Sequence, residues 1–354
     1  MIVAIILAPI LQLPSGAAKG FTIQGEQGLE GETAKTMPGT FAHMTLVDAL
    51  CVESLDAIPG LGPEIKEALG EFLNYCELGG VSPDYPSLTI FDKHAARWAN
   101  VMHYYKTADL VRDGIRYLLE HPPLDRQDEQ KCVAWLFGYA AHVVADLTVH
   151  PVIAMKVGCY EGHEAYHRRC ELNQDVYIFN RILHQDVCSA EYLRDGLMAC
   201  TEGGVLNRAV TSLWLGVLNA IPRGDIDMAL GVKSPVKDPD PNEWHKWFTA
   251  LINDVASKGG RLPPLARRVG EDDLVLLYPQ LDELDRTFID DLSTPSGELT
   301  AYDAVFDRAR AATMRYWGEL SAAIQGRNPR LFTLPNGDLD TGVPDGTPLF
   351  WRAV

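Results

Sequence analysis

Residues 138–151 read GYAAHVVADLTVHP, and the reading of the whole chain grows from them. Apolar residues recur here at three- and four-residue steps, the mark of a helix. His142, Asp146 and His150 follow one another at steps of four. The three polar side chains therefore span about 80° of one helix face and rise about 12 Å along it. A lone histidine on a helix is usually a hydrogen-bonded surface or core residue. Three polar groups in line on an otherwise apolar helix are harder to satisfy, because burying them unpaired costs several kcal/mol. Neutral imidazole and carboxylate are donors that zinc accepts, and a carboxylate between two histidines can bridge two ions.

A second stretch, 161–175 (EGHEAYHRRCELNQD), repeats the spacing with His163, His167, Glu171 and Asp175. His167 and Glu171 form an HxxxE pair at ligand spacing, while His163 and Asp175 fit a solvated polar face equally well. Outward from these two segments the helical period holds from Phe41 onward. It predicts helices over 45–55, 62–75, 94–120, 127–149, 163–183, 190–199, 205–219 and 302–324. Pro122-Pro123 ends one helix, and the segment from Asp125 to Glu129 opens the next. Loops are expected at 79–90, 221–243 and 258–275. No run of alternating strands and no internal repeat appears. The fold class is all-α, with a single multi-helical domain over 38–325. An N-terminal apolar segment and arm (1–37) precedes it, and an irregular C-terminal tail (326–354) follows.

Composition narrows the function classes. The chain has 354 residues, 47% of them hydrophobic and 22% charged, which excludes wholesale disorder and collagen-like or coiled-coil architectures. With 31 Lys and Arg against 48 Asp and Glu, the net charge is −17. That balance disfavours a nucleic-acid surface, which needs clustered basic residues, and adsorption to anionic membranes by charge alone. It suits cation binding. The seven cysteines include no CxxC pair, so they read as small buried hydrophobes, with one or two disulfides if the chain is exported. The opening MIVAIILAPILQL has signal-peptide length, and Ser15-Gly16-Ala17 follows at cleavage spacing. Removal of residues 1–17 and a secreted or extracytoplasmic location are expected, with a cytoplasmic location as the alternative.

The two ladders together resemble the zinc-dependent phospholipase C superfamily. That superfamily includes the bacterial zinc phospholipases C, the catalytic domain of glycosylphosphatidylinositol-specific phospholipase D and, more distantly, the fungal single-strand-specific zinc nucleases. The resemblance extends upstream to Asp84 in VSPDYP, His103 in VMHYYKTADLV and His43 in TFAHMTLVDAL, covering roughly residues 38–190. It implies a zinc cluster in which Asp84, His103, His142 and Asp146 hold one ion. Asp146 bridges to a second that also takes His43, and His150, His167 and Glu171 hold a third. It further implies that Asp84, on a loop, orients and deprotonates the attacking water. In the secreted members the mature chain begins with a Trp whose amino group ligates zinc, and neither Met1 nor Ala18 supplies one, so two or three ions are expected. Only three residues separate Asp146 from His150, against five in those enzymes, a spacing closer to the glycosylphosphatidylinositol-type branch.

The expected function is a zinc-dependent phosphodiester hydrolase of phospholipase C type, acting on a phospholipid or a small phosphodiester, with transient contact to a membrane surface. The alternatives are a zinc-dependent single-strand nuclease, disfavoured by the charge, and a non-catalytic helical protein locked by metal. Eight candidate ligands for two or three ions leave coordination positions open, which favours catalysis. His94, His121, His184 and His245 have no ligand-spaced partners, although His94 rivals His103 as the helix ligand. Trp244, Trp247 and Phe248 read as core packing at a helix start, with a lipid-touching lip as the alternative. GGVLNRAV follows no expected strand and is no dinucleotide fingerprint. The oligomeric state is left open.

Overall fold

A 32-residue helix, Arg126–Val157, forms the axis of the computed structural model. The description that follows covers residues 39–53, 55–88, 93–158, 162–187, 192–193, 196–230, 237–257, 278–342 and 348–351. All of these fall within one compact unit, Ala34–Val354. The expectations for residues 1–17 and 1–37, residues 190–191 and 194–195 of the 190–199 helix, the 258–275 loop and the His94 side chain lie outside the described residues, and the end of that expected helix is a 3-10 turn, Leu197–Cys200.

In chain order the helices are α1 (Thr40–Glu53), α2 (Pro63–Glu71), α3 (Leu73–Val81), α4 (Lys93–Tyr104), α5 (Thr107–Glu120), α6 (Arg126–Val157), α7 (Glu164–Leu183), α8 (Arg208–Asn219), α9 (Arg223–Leu230), α10 (Pro241–Ser257) and α11 (Tyr302–Gln325). The fold is all-α. Two short antiparallel pairs supplement the helices: β1 (Thr201–Glu202) with β2 (Val205–Leu206), and β3 (Leu292–Ser293) with β4 (Leu299–Thr300).

The Asp125 side chain caps α6, accepting from the backbone N–H groups of Gln127 and Asp128. The helix is apolar and long enough to cross a membrane, but its apolar stretch is wholly buried inside the protein, as befits a core helix. α3 lies against it at unusually close range. A Cβ on Gly79 would come 1.9 Å from the Trp135 carbonyl oxygen, and one on Gly138 would come 1.8 Å from that of Cys76. These two glycines let the backbones touch, and the contact carries the end of α3 up to His142. On another flank Trp317 of α11 donates its indole N–H to the Phe137 carbonyl at 2.9 Å.

Several boundaries differ from the sequence reading. The 62–75 helix is two helices, broken at Phe72, whose φ of −119° and ψ of 44° leave the helical region. The 94–120 helix breaks after Tyr104, where Lys106 adopts a left-handed φ of 41°. Apolar periodicity continues through both breaks and hides them. Gly79–Val81, expected in a loop, form the last turn of α3, where Gly79 lets the backbone approach Trp135 of α6. α6 does not stop at Val149 but runs through Pro151 to Val157. The missing proline N–H removes one bond of the ladder, and the Trp351 indole donates to the Thr148 carbonyl at 2.8 Å on the same turn. The 205–219 helix starts only at Arg208, after a hairpin whose turn glycines, Gly203 and Gly204, have φ of 60° and 86°. α9 lies inside the expected 221–243 loop.

Cys51, Cys76, Cys132, Cys170 and Cys200 are buried free thiols. Trp244 and Phe248 are core residues, packed on Trp214 and Tyr85 at ring distances of 5.3 Å each, so neither forms a lipid-facing lip. His245 is a satisfied core histidine between the Tyr85 hydroxyl and the Thr201 hydroxyl, at 2.8 and 2.7 Å.

Candidate metal centre

Three elements converge on the ladder of α6. His142, Asp146 and His150 all face inward and are buried. The close contact of α3 with α6 lets the His142 Nδ1–H donate to the Gly80 carbonyl at 2.8 Å. The chain then leaves α3 through a tight turn, with Asp84 N–H on the Val81 carbonyl at 3.1 Å, and this turn sets Asp84 over His142. Ser82 fixes the turn by donating to the Leu78 carbonyl while accepting from the Trp135 indole, at 2.7 and 2.8 Å. His103, in the last turn of α4, donates Nδ1–H to the Ala99 carbonyl of its own helix at 2.8 Å. The break at Lys106 turns the chain away directly after it.

His43 arrives on α1. The N-terminus of that helix is held by Asp175 of α7, which accepts from Ala42 N–H at 2.7 Å and Phe41 N–H at 3.3 Å. Tyr278 donates its hydroxyl to the same carboxylate at 3.1 Å. Asp175 is therefore buried and caps a neighbouring helix, and the solvated-face reading fails for it. That reading holds for His163, which is exposed. Burial pushes the Asp175 carboxyl up to about 7 against the pull of its donors.

The ring nitrogens of the α4 and α6 histidines point at one another. His103 Nε2 and His142 Nε2 are 3.4 Å apart. A carbonyl oxygen can only accept, so the Nδ1 atom of each ring carries its hydrogen, and each neutral ring offers a lone pair at Nε2. Two lone pairs facing at this distance call for a cation or a proton between them. The carboxylates close the space. Asp84 Oδ1 is 3.3 Å from His103 Nε2 and 4.0 Å from His142 Nε2. Asp146 Oδ2 is 3.0 Å from His142 Nε2 and 3.7 Å from His103 Nε2, while its Oδ1 is 3.2 Å from His43 Nε2 and 3.9 Å from His150 Nε2. The His43 ring stacks on His142 at 4.0 Å. Both oxygens of Asp84, Oδ2 of Asp146 and Nε2 of His150 are buried without a hydrogen-bond partner. The residues present fit zinc, because each orphan is a donor that zinc takes.

The electrostatics agree. Burial alone would raise the Asp146 carboxyl, but His142 and His43 hold it well below the usual carboxylate range. Burial alone would depress His103, yet Asp84 and Asp146 push it up to about 9. The centre thus recruits positive charge. His150 goes the other way, pushed down to about 4 chiefly by burial, and stays a neutral donor.

Among the described residues the tight ligand groups, with atoms within 4.8 Å of one another, are His43 with Asp84 and His142, and His103 with His142 and Asp146. His150, His167 and Glu171 are all buried but are not gathered into a third group of that tightness. His167 is oriented by an Nε2 contact to the Gly158 carbonyl at 2.7 Å. Glu171 lines one narrow cavity of ≈ 20 Å³ together with His43 and Asp146, room for about one water. Burial pushes the Glu171 carboxyl well above its usual range, against the opposing charge of Arg168.

Arg168, fully buried with Nη1 3.4 Å from Glu171 Oε2, was missed by the sequence reading. Its i,i+3 spacing to Glu171 was the available signal.

A helical fold with a buried centre of imidazole and carboxylate donors defines a metal-binding protein of a kind that zinc fits. The family model described as zinc-dependent phospholipase C matches residues 42–224, and this chain belongs to that family. The matched span contains all eight candidate ligands. No curated protein and no solved structure matches the chain.

Proposed function

We propose that the protein hydrolyses a phosphodiester, a phospholipid or related small molecule, through two or three zinc ions held by His43, Asp84, His103, His142, Asp146, His150, His167 and Glu171. The observation that carries this reading is the facing pair of lone pairs on His103 and His142, closed on two sides by Asp84 and Asp146. Bound there, zinc supplies Lewis acidity, which activates water and offsets charge on the phosphorus oxygens. The remaining work falls to the chain. The backbone carbonyls of Gly80 and Ala99 fix the tautomers of His142 and His103, so that Nε2 is always the presented atom. Asp84 sits on a turn rather than a helix and keeps both oxygens free of hydrogen bonds, which suits a residue that orients water and takes its proton. Asp146, kept anionic by two imidazoles, reaches from its own tight ligand group to His43 of the other, and His142 is common to both.

The test is turnover by zinc-loaded protein on phosphatidylcholine, a phosphatidylinositol-type lipid, a chromogenic phosphodiester and single-stranded DNA, assayed side by side. Hydrolysis of lipid or the small phosphodiester is the expected result. Turnover of DNA alone makes the protein a nuclease, and no turnover with zinc fully bound makes the metal structural.

A further inference from the structure

The C-terminal stretch lies beyond the family-matched residues 42–224, yet it returns to the metal centre. Leu339 N–H donates to the His103 carbonyl at 3.1 Å. One residue on, the Asp340 carbonyl lies 3.3 Å from His150 Nδ1. The Tyr104 hydroxyl donates to the Asp340 carboxylate at Oδ2. Asp340 thus touches both α4, beside its ligand histidine, and α6, at a ligand histidine.

The stretch is held firmly enough to act. Asn336 accepts from Asp109 N–H and donates to the Asp109 carboxylate, at 2.9 and 2.8 Å. Thr107 donates to the Gly337 carbonyl at 2.9 Å. Gly342, with a left-handed φ of 66°, lies so close to Pro151 that a Cβ there would come within 2.3 Å of the ring. Leu334 and Leu339 are fully buried.

Asp340 itself is only 4% exposed, and its Oδ1 is buried. Its charge is one of several that raise His103 and Glu171. A buried carboxylate costs free energy that hydrogen bonds or a nearby cation offset.

We propose that Asp340 is a further carboxylate of the metal centre, its carbonyl fixing His150 with Nε2 turned to Asp146 and its side chain adding negative charge that strengthens zinc binding. The inference rests on the reading that this centre holds zinc.

Asp340→Asn keeps the size of the side chain and an acceptor for Tyr104 while removing the charge. Zinc affinity by chelator competition, and the thermal midpoint of the chelated, metal-free chain, are measured for wild type and variant. The expected result is zinc binding weakened on the order of 10- to 100-fold, with the metal-free midpoint unchanged or raised, because one repelling charge is gone. Equal zinc affinity overturns the inference, and so does a metal-free variant that melts earlier or does not fold, since Asp340 is then an anchor of the tail. Tyr104→Phe releases the carboxylate but leaves its charge in place. It should weaken zinc less than D340N does, and an equal or larger loss overturns the inference as well. Wild-type protein that takes up no zinc overturns the metal reading and this inference together. Tight zinc in wild type with no difference in D340N overturns this inference alone.

Discussion

α6 and α7 carry the same device, polar side chains repeated every fourth residue, and the fold uses the two ladders differently. The three rungs of α6 meet Asp84, His103 and His43 from three other elements and form one centre. The four rungs of α7 disperse. His163 faces solvent, His167 is tied to the Gly158 carbonyl, Glu171 pairs with Arg168, and Asp175 caps α1. Spacing specifies that side chains share a face. What the face meets is decided by packing, and on α6 that packing is the glycine contact with α3.

The largest effect should come from Asp146→Asn, which removes the charge common to four histidines. Metal analysis of the purified variant should show most of the zinc lost, while Glu171→Gln on the dispersed ladder should lose less. Equal losses from the two ladders would erase the distinction between them.

Next is the glycine contact itself. Gly138→Val drives side-chain atoms into the Cys76 backbone, which cannot give way like a flexible side chain. A loss of about 3 kcal/mol is expected by denaturant unfolding of the metal-free chain, together with weakened zinc binding as Gly80 and Asp84 move off His142. Wild-type stability in the G138V variant would show that α3 does not need the contact.

A smaller effect separates a carboxylate that meets imidazoles from one that does not. Asp146 is held low by His142 and His43, whereas burial pushes Glu77 of α3 up to about 8 against a single hydroxyl donated by Tyr192 at 2.5 Å. A carboxyl raised in the folded state favours folding fully at pH below its ordinary value near 4.5, and that contribution is lost as pH rises through about 8. The thermal midpoint of metal-free wild type should therefore fall between about pH 5 and 8, and Glu77→Gln should flatten the decline. An identical slope in both would contradict this assignment.

The smallest effect belongs to His163→Ala. Exposed and outside the tight ligand groups, it should leave zinc content unchanged, whereas His142→Ala should lower it. Zinc loss from the His163 variant would extend the metal centre into the outer end of α7.

Much of this was legible in the chain. The α6 ladder, the HxxxE pair and the helical period show themselves within one or two turns, and the resemblance picked out Asp84, His103 and His43 across loops. The remainder depends on contacts that no local pattern encodes. The breaks at Phe72 and Lys106 lie inside unbroken apolar periodicity, so only tertiary packing reveals them. The continuation of α6 past Val149 through Pro151 coincides with the C-terminal tail packing against that turn of α6. Asp175 and Asp340 act at 133 and 190 residues' separation from Ala42 and His150, far beyond any spacing rule.

The central claim is that a buried nitrogen and oxygen donor set holds the metal, with the cysteines elsewhere. X-ray absorption at the zinc edge on the purified full chain, combined with metal quantitation, tests it directly. The account predicts two or three zinc per chain with only nitrogen and oxygen neighbours at about 2.0–2.2 Å. A folded chain without zinc, or zinc with sulfur neighbours at about 2.3 Å, would contradict it.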